Sequence, residues 1–232
     1  SAIEHHAQMA AWFEHTRGFA KFEWHVDGSG ELTPMIAVYF RRRPAVETAL
    51  AKLHSFGVAG AVQDELRRLS YALEKTSIHF VSAAFQRGVE AQHKLYFSQL
   101  VLEDRKPAIE DRIGRVFDRM GLSADRERWL PLHRRALESP IETTLYVSFN
   151  FTAERLVQTF KIDYPGQLPG QVAAWAEPAQ REIVETEAAS TAIAMAGQRL
   201  AYLGVRFGGG QWPPRLKYYA DLHGEEEQEA GG

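Results

Sequence analysis

The chain has 232 residues, 45% of them hydrophobic, with a formal net charge of -3 and no cysteine. That length and apolar content can fill one large core or two small ones. The slight acidity gives no global attraction to nucleic acid or anionic membranes, and the missing cysteines exclude disulfides and thiolate metal sites.

No apolar run approaches the roughly 20 residues of a membrane helix. The first residues, Ser1-Ala2-Ile3-Glu4-His5-His6, carry no secretory pattern. A cytoplasmic protein is the expectation.

Met9, Trp12 and Phe13 at helical spacing predict a short helix over residues 3–17. Phe19 to Val26 then alternates apolar and polar, Asp27-Gly28-Ser29-Gly30 signals a turn, and Met35 to Arg41 alternates again, which predicts a hairpin. Pro44 opens a helical region to about Leu73, broken near Gly57 to Gly60. A second hairpin is expected over Ser77 to Phe85 and Ala91 to Gln99. Helices over 104–120 and 123–138 follow, the first ending at Gly121 and the second capped by Ser123.

The third hairpin spans Thr143 to Phe151 and Leu156 to Tyr164. Pro165-Gly166 and Pro169-Gly170 then lead into a helical stretch to about Ala196, with a break at Pro178. Leu200 to Phe207 and Arg215 to Leu222 form the fourth hairpin. Residues 224–232 read as a disordered acidic tail behind a single domain over 1–223. The hairpins recur at intervals of about 57, 67 and 57 residues, which points to an internal structural repeat, with a four-hairpin α+β protein lacking a true repeat as the alternative. The predicted class is α+β: repeated helix–hairpin units whose antiparallel strands form a central barrel or strongly curved sheet, with helices outside.

Sorting each strand by parity separates two faces. One is apolar, with Leu95, Phe97, Val147, Phe149, Phe160, Ile162, Val205 and Phe207, and should pack under the helices. The other carries Lys21, Glu23 and His25; Tyr39 and Arg41; Lys94, Tyr96 and Ser98; Tyr146, Ser148 and Asn150; Thr159, Lys161 and Asp163; Tyr202 and Arg206; and Arg215, Lys217, Tyr219 and Asp221. On an open sheet this face is simply solvated. In a closed one it lines a lumen, where cations outnumber carboxylates. The five tyrosines favour the lumen, because phenols and cations together can hold an anion and shield a carbocation.

Lys94-Leu95-Tyr96 and Lys217-Tyr218-Tyr219 each place a cation and a phenol on one strand face, and Lys161-Ile162-Asp163 repeats only the lysine. With the helix–hairpin periodicity, this pattern resembles the aromatic prenyltransferases of the ABBA type. In that family α-α-β-β repeats build a barrel, and Lys-x-Tyr pairs on its strands bind an allylic diphosphate. Five repeats are usual there, against four hairpins here.

The resemblance implies a prenyl diphosphate held by Arg41, Lys94, Lys161, Arg206, Arg215 and Lys217. Tyr39, Tyr96, Tyr146, Tyr202 and Tyr219 would cover the allylic cation. Glu23, or else His25, would orient or deprotonate the aromatic acceptor. A salt bridge from Glu23 to Lys21 or Arg41 is the structural alternative.

No aspartate cluster of the DDxxD kind is present, so no metal site and no required magnesium are expected. No HExxH, P-loop or Gly-x-Ser-x-Gly pattern occurs either. Arg41-Arg42-Arg43 is too small a footprint for nucleic acid. The expected partners are small molecules, a prenyl diphosphate and an aromatic acceptor, with neither nucleic acid nor membrane. A non-catalytic protein that binds an anionic or aromatic ligand in the same cavity is the alternative.

Overall fold

Alternating segments of the sequence become strands: β1 (Gly18–Val26), β2 (Leu32–Phe40), β3 (Phe80–Phe85), β4 (Gln92–Leu100), β5 (Thr144–Phe151), β6 (Leu156–Gln167), β7 (Leu200–Gly208) and β8 (Arg215–Ala220). The computed structural model describes residues 18–26, 32–40, 44–85, 92–138, 144–167, 200–209 and 215–220, with β1, β2 and β8 described by backbone and register. Every neighbouring pair is antiparallel, and the eight strands follow one another in chain order. The order is open. β1 and β8 are its ends, and no ladder joins them among the described residues. Of the two forms expected, the described residues show the open, curved sheet, without closure into a barrel.

Helices α1 (Val46–Ser55) and α2 (Gly60–Ala72) precede β3, and α3 (Lys106–Arg119) and α4 (Ser123–Ala136) precede β5. The break expected near residue 57 separates the first pair. The helices expected over 3–17 and in the stretch to Ala196, and the tail at 224–232, lie outside the described residues. No helix among the described residues is long and apolar enough to cross a membrane.

The helices bury their apolar stripes on the apolar face of the sheet. Phe117 of α3 shows why this layer is stable. Its ring lies 5.0 Å from Trp129 of α4, 4.8 Å from Phe160 of β6 and 5.0 Å from Phe207 of β7, and all four side chains are buried. Burying each such ring contributes about 1.5–3 kcal/mol, so Phe117→Ala would cost about 3–5 kcal/mol. Beneath α4, the Trp129 indole N–H donates to the Tyr164 hydroxyl at 2.9 Å, and His133 Nδ1 lies 2.9 Å from the same oxygen. These polar atoms are buried and therefore need one another.

Three local readings are corrected. Ser123 is the first residue of α4 rather than its cap. Gly121 (φ 70°) ends α3, its N–H and that of Leu122 returning to the carbonyls of Asp118 and Phe117. Leu122 thereby occupies the cap position, and the Ser123 hydroxyl turns instead to Asp118 at 3.1 Å.

Pro165-Gly166 does not end the third hairpin, because β6 continues to Gln167 and Pro165 pairs with Tyr202. β3 begins at Phe80 rather than Ser77. Residues 76–78 are held by the start of α1, with Val46 N–H donating to the Thr76 carbonyl and Ile78 N–H to that of Pro44, both at 2.9 Å.

Candidate anion and aromatic site on the inner sheet face

Antiparallel register carries a residue's face from strand to strand, so the pairings place the polar residues in rows. Phe80, Tyr96, Ser148, Lys161, Arg206 and Arg215 are successive partners across β3 to β8. A second row runs Tyr39, Ser82, Lys94, Asn150, and a third runs Ser98, Tyr146, Asp163, Gly204, Lys217. Tyr202 pairs with Tyr219. These rows lie on the face turned away from the helices.

This inner face is not washed by water at its centre. Tyr96 is 6% exposed, Ser148 2%, Lys161 6% and Asp163 6%. Lys94, Tyr146, Asn150, Tyr202 and Arg206 are half-buried around them. The solvated reading of the polar face is therefore set aside for the central strands.

Side chains converge there as they would on a concave surface. The Lys94 ammonium lies 5.6 Å from the Tyr96 ring centroid, and that of Lys161, two strands away, lies 6.0 Å from the same ring. The Lys161 side chain can cross β5 because Ser148, its partner there, is small. The Ser148 hydroxyl has no hydrogen-bond partner among the described residues, leaving a polar atom turned to this centre. Phe80 packs edge-on to Tyr96 and lies 6.0 Å from Tyr146. Tyr146 in turn touches His79 at 4.9 Å and Tyr202 at 6.0 Å.

Charge is deliberately matched at one point. Lys161 Nζ lies 2.7 Å from Asp163 Oδ1, with both side chains less than a tenth exposed. The contact falls outside hydrogen-bond alignment, so it is a pairing of charges rather than a directed bond. A buried ammonium costs several kcal/mol to desolvate unless an anion accompanies it. Tyr96 supplies a further, weaker partner through its ring face. Cations, phenols and a small polar floor in a low-dielectric recess are suited to gripping an anion beside an electron-rich surface.

Of the residues singled out in the sequence, Lys94, Tyr96, Lys161, Arg206, Tyr146 and Tyr202 are brought together on this face. Arg215, Lys217 and Tyr219 occupy matching register positions on β8, and Tyr39 one on β2. Glu23 and His25 pair with Met35 and Thr33, which places them by register on the same sheet face as Tyr39, the partner of Phe19. Arg41 lies outside the described residues. Phe80 and His79 were missed, since apolar and imidazole side chains at an ambiguous strand start carry no parity signal. Asp163 and Ser148 were placed on the correct face but given no role. Among the described residues no cluster of His, Asp and Glu could hold a metal ion.

No family model and no curated protein matches the chain. Solved structures do match. Against PriB in a binary complex with product diphosphate, the TM-score is 0.61 at 17% identity, over 94% of this chain and 65% of that one. The apo form of the prenyltransferase PriB gives 0.60 at 16% identity over the same shares. The chain thus spans about two thirds of the length of these structures. The likeness is one of fold: an α+β, ABBA-type prenyltransferase-like architecture, as the family resemblance implied.

Proposed function

We propose that this chain transfers a prenyl group from an allylic diphosphate to an aromatic small molecule at the inner sheet face. The observation that carries the reading is the convergence of Lys94 and Lys161 on one buried tyrosine ring. Arg41, Lys94, Lys161, Arg206, Arg215 and Lys217 are assigned to the diphosphate. Heterolysis of the allylic C–O bond leaves both electrons on that group, and preorganised cations in a dry site stabilise the charge that develops. Tyr39, Tyr96, Tyr146, Tyr202 and Tyr219 face the allylic cation and keep water from it. The acceptor ring attacks through carbon and then loses its proton, with Glu23 as the assigned base and His25 as the alternative. The cations themselves neutralise the leaving group, so magnesium is not required.

Incubation with dimethylallyl or geranyl diphosphate and a panel of phenols and indoles tests this. Diphosphate release that depends on the acceptor, with a prenylated product, is the expected result.

A second reading is favoured by the Lys161–Asp163 pair, which cancels one cation of the site. Here the chain holds an anionic or aromatic ligand without turning it over. Tight binding of the diphosphate with no product would establish that reading instead.

A further inference from the structure

We propose that Asp163 determines the ligand specificity of the inner face by acting as an internal competitor for Lys161. The inference rests on the reading of this face as an anion site. Lys161 is the buried cation at the centre of the row Tyr96–Ser148–Lys161–Arg206, and a carboxylate two residues along the same strand face lies 2.7 Å from its ammonium. An incoming anion meets that carboxylate at the same ammonium. To use Lys161, it must draw the Nζ away from Asp163 or share it, and it must tolerate a fixed negative charge nearby.

Like charges repel in a dry recess, so an anion gains from Lys161 only when it engages further cations at the same time. The pair therefore sets a threshold. A weakly charged anion leaves Lys161 with Asp163, whereas a diphosphate, with several charged oxygens, can reach Lys94 and recruit Lys161 together. The buried Ser148 hydroxyl, in register with Lys161, is positioned to accompany the exchanged ammonium or the anion. Asp163 is accordingly a positioning residue acting through Lys161, and it selects highly charged phosphate esters over carboxylates and monophosphates.

The test is calorimetric binding of inorganic diphosphate and inorganic phosphate to the wild type and to Asp163→Asn, Lys161→Met and the double variant. Folding of each is checked by circular dichroism and urea titration. Asp163→Asn, nearly isosteric, should tighten diphosphate binding about tenfold, a change of about 1.4 kcal/mol. It should tighten phosphate binding by a larger factor, eroding the discrimination. In the Lys161→Met background the gain from Asp163→Asn should largely vanish, since there is no longer a lysine to compete for.

A merely structural role for Asp163 would weaken binding on substitution, together with stability. Binding that is unchanged or weaker in Asp163→Asn, or a gain equal in both backgrounds, would overturn the inference while leaving the anion site standing. Folded wild type and Asp163→Asn that both ignore diphosphate would overturn the site itself, and the inference with it.

Discussion

Lys94 and Tyr96 stand two residues apart on β4, on one face, with the Lys94 ammonium 5.6 Å from the centre of the Tyr96 ring. Lys161 approaches that ring from β6 at 6.0 Å. A single phenol thus has cations from separate hairpins near its ring, and this arrangement makes the inner face a candidate for binding an anion next to an aromatic wall.

Lys94→Ala should weaken diphosphate binding by about tenfold or more, because a charge-assisted contact contributes about 1.5–3 kcal/mol. Lys94 is only half-buried, so the fold should tolerate its truncation. Titration calorimetry at low ionic strength reads the effect directly. Equal affinity in the variant would put Lys94 outside the ligand's reach.

Burial holds the His133 imidazole neutral, its pKa lowered to about 3, with the neighbouring Arg134 charge adding to the shift. The unfolded chain protonates this histidine near pH 6.5 while the fold resists until about pH 3, so stability is lost as pH falls through that window. His133→Gln removes the titration and retains a group that can meet the Tyr164 hydroxyl. The urea-unfolding free energy of the variant should therefore fall less steeply between pH 6.5 and pH 4 than that of the wild type. Parallel pH profiles would show that His133 takes up a proton in the fold as readily as in the unfolded chain.

Gly208 closes β7 at φ 98°, paired with Thr159. A methyl group there would run into the Gln158 carbonyl and sit 3.1 Å from the Thr159 Cα. Gly208→Ala should cost about 1–3 kcal/mol in urea unfolding, from left-handed backbone strain and a displaced β6–β7 ladder. A neutral result would mean the ladder end shifts without resistance.

Much of the sheet was legible in the sequence because a period of two is a direct imprint of burial. Leu95 and Phe97 go under the helices and Lys94 and Tyr96 go inward, as their parity requires. The start of β3 was not legible. Thr76 to Ile78 are held by backbone bonds to the beginning of α1, and a contact so distant in sequence leaves no local pattern. Pro165-Gly166 reads as a turn by composition, yet pairing with β7 carries the strand through it.

The site shows the same division. Parity placed Lys161 and Asp163 together on the inner face, but their ion pair depends on burial, which no single strand reveals. Whether the centre of this face is buried or wet likewise turned on the 2% exposure of Ser148, a property of the whole sheet.

Because the chain has no cysteine, a single introduced thiol reports its own surroundings. Ser148→Cys places one at the centre of the inner face, and Tyr71→Cys places one on the surface, where the native side chain is 64% exposed. A buried ligand site on the inner face predicts that a polar thiol reagent labels Ser148→Cys about tenfold or more slowly than Tyr71→Cys, and more slowly still with geranyl diphosphate present. Labelling of Ser148→Cys as fast as the surface thiol, and indifferent to the diphosphate, would contradict it.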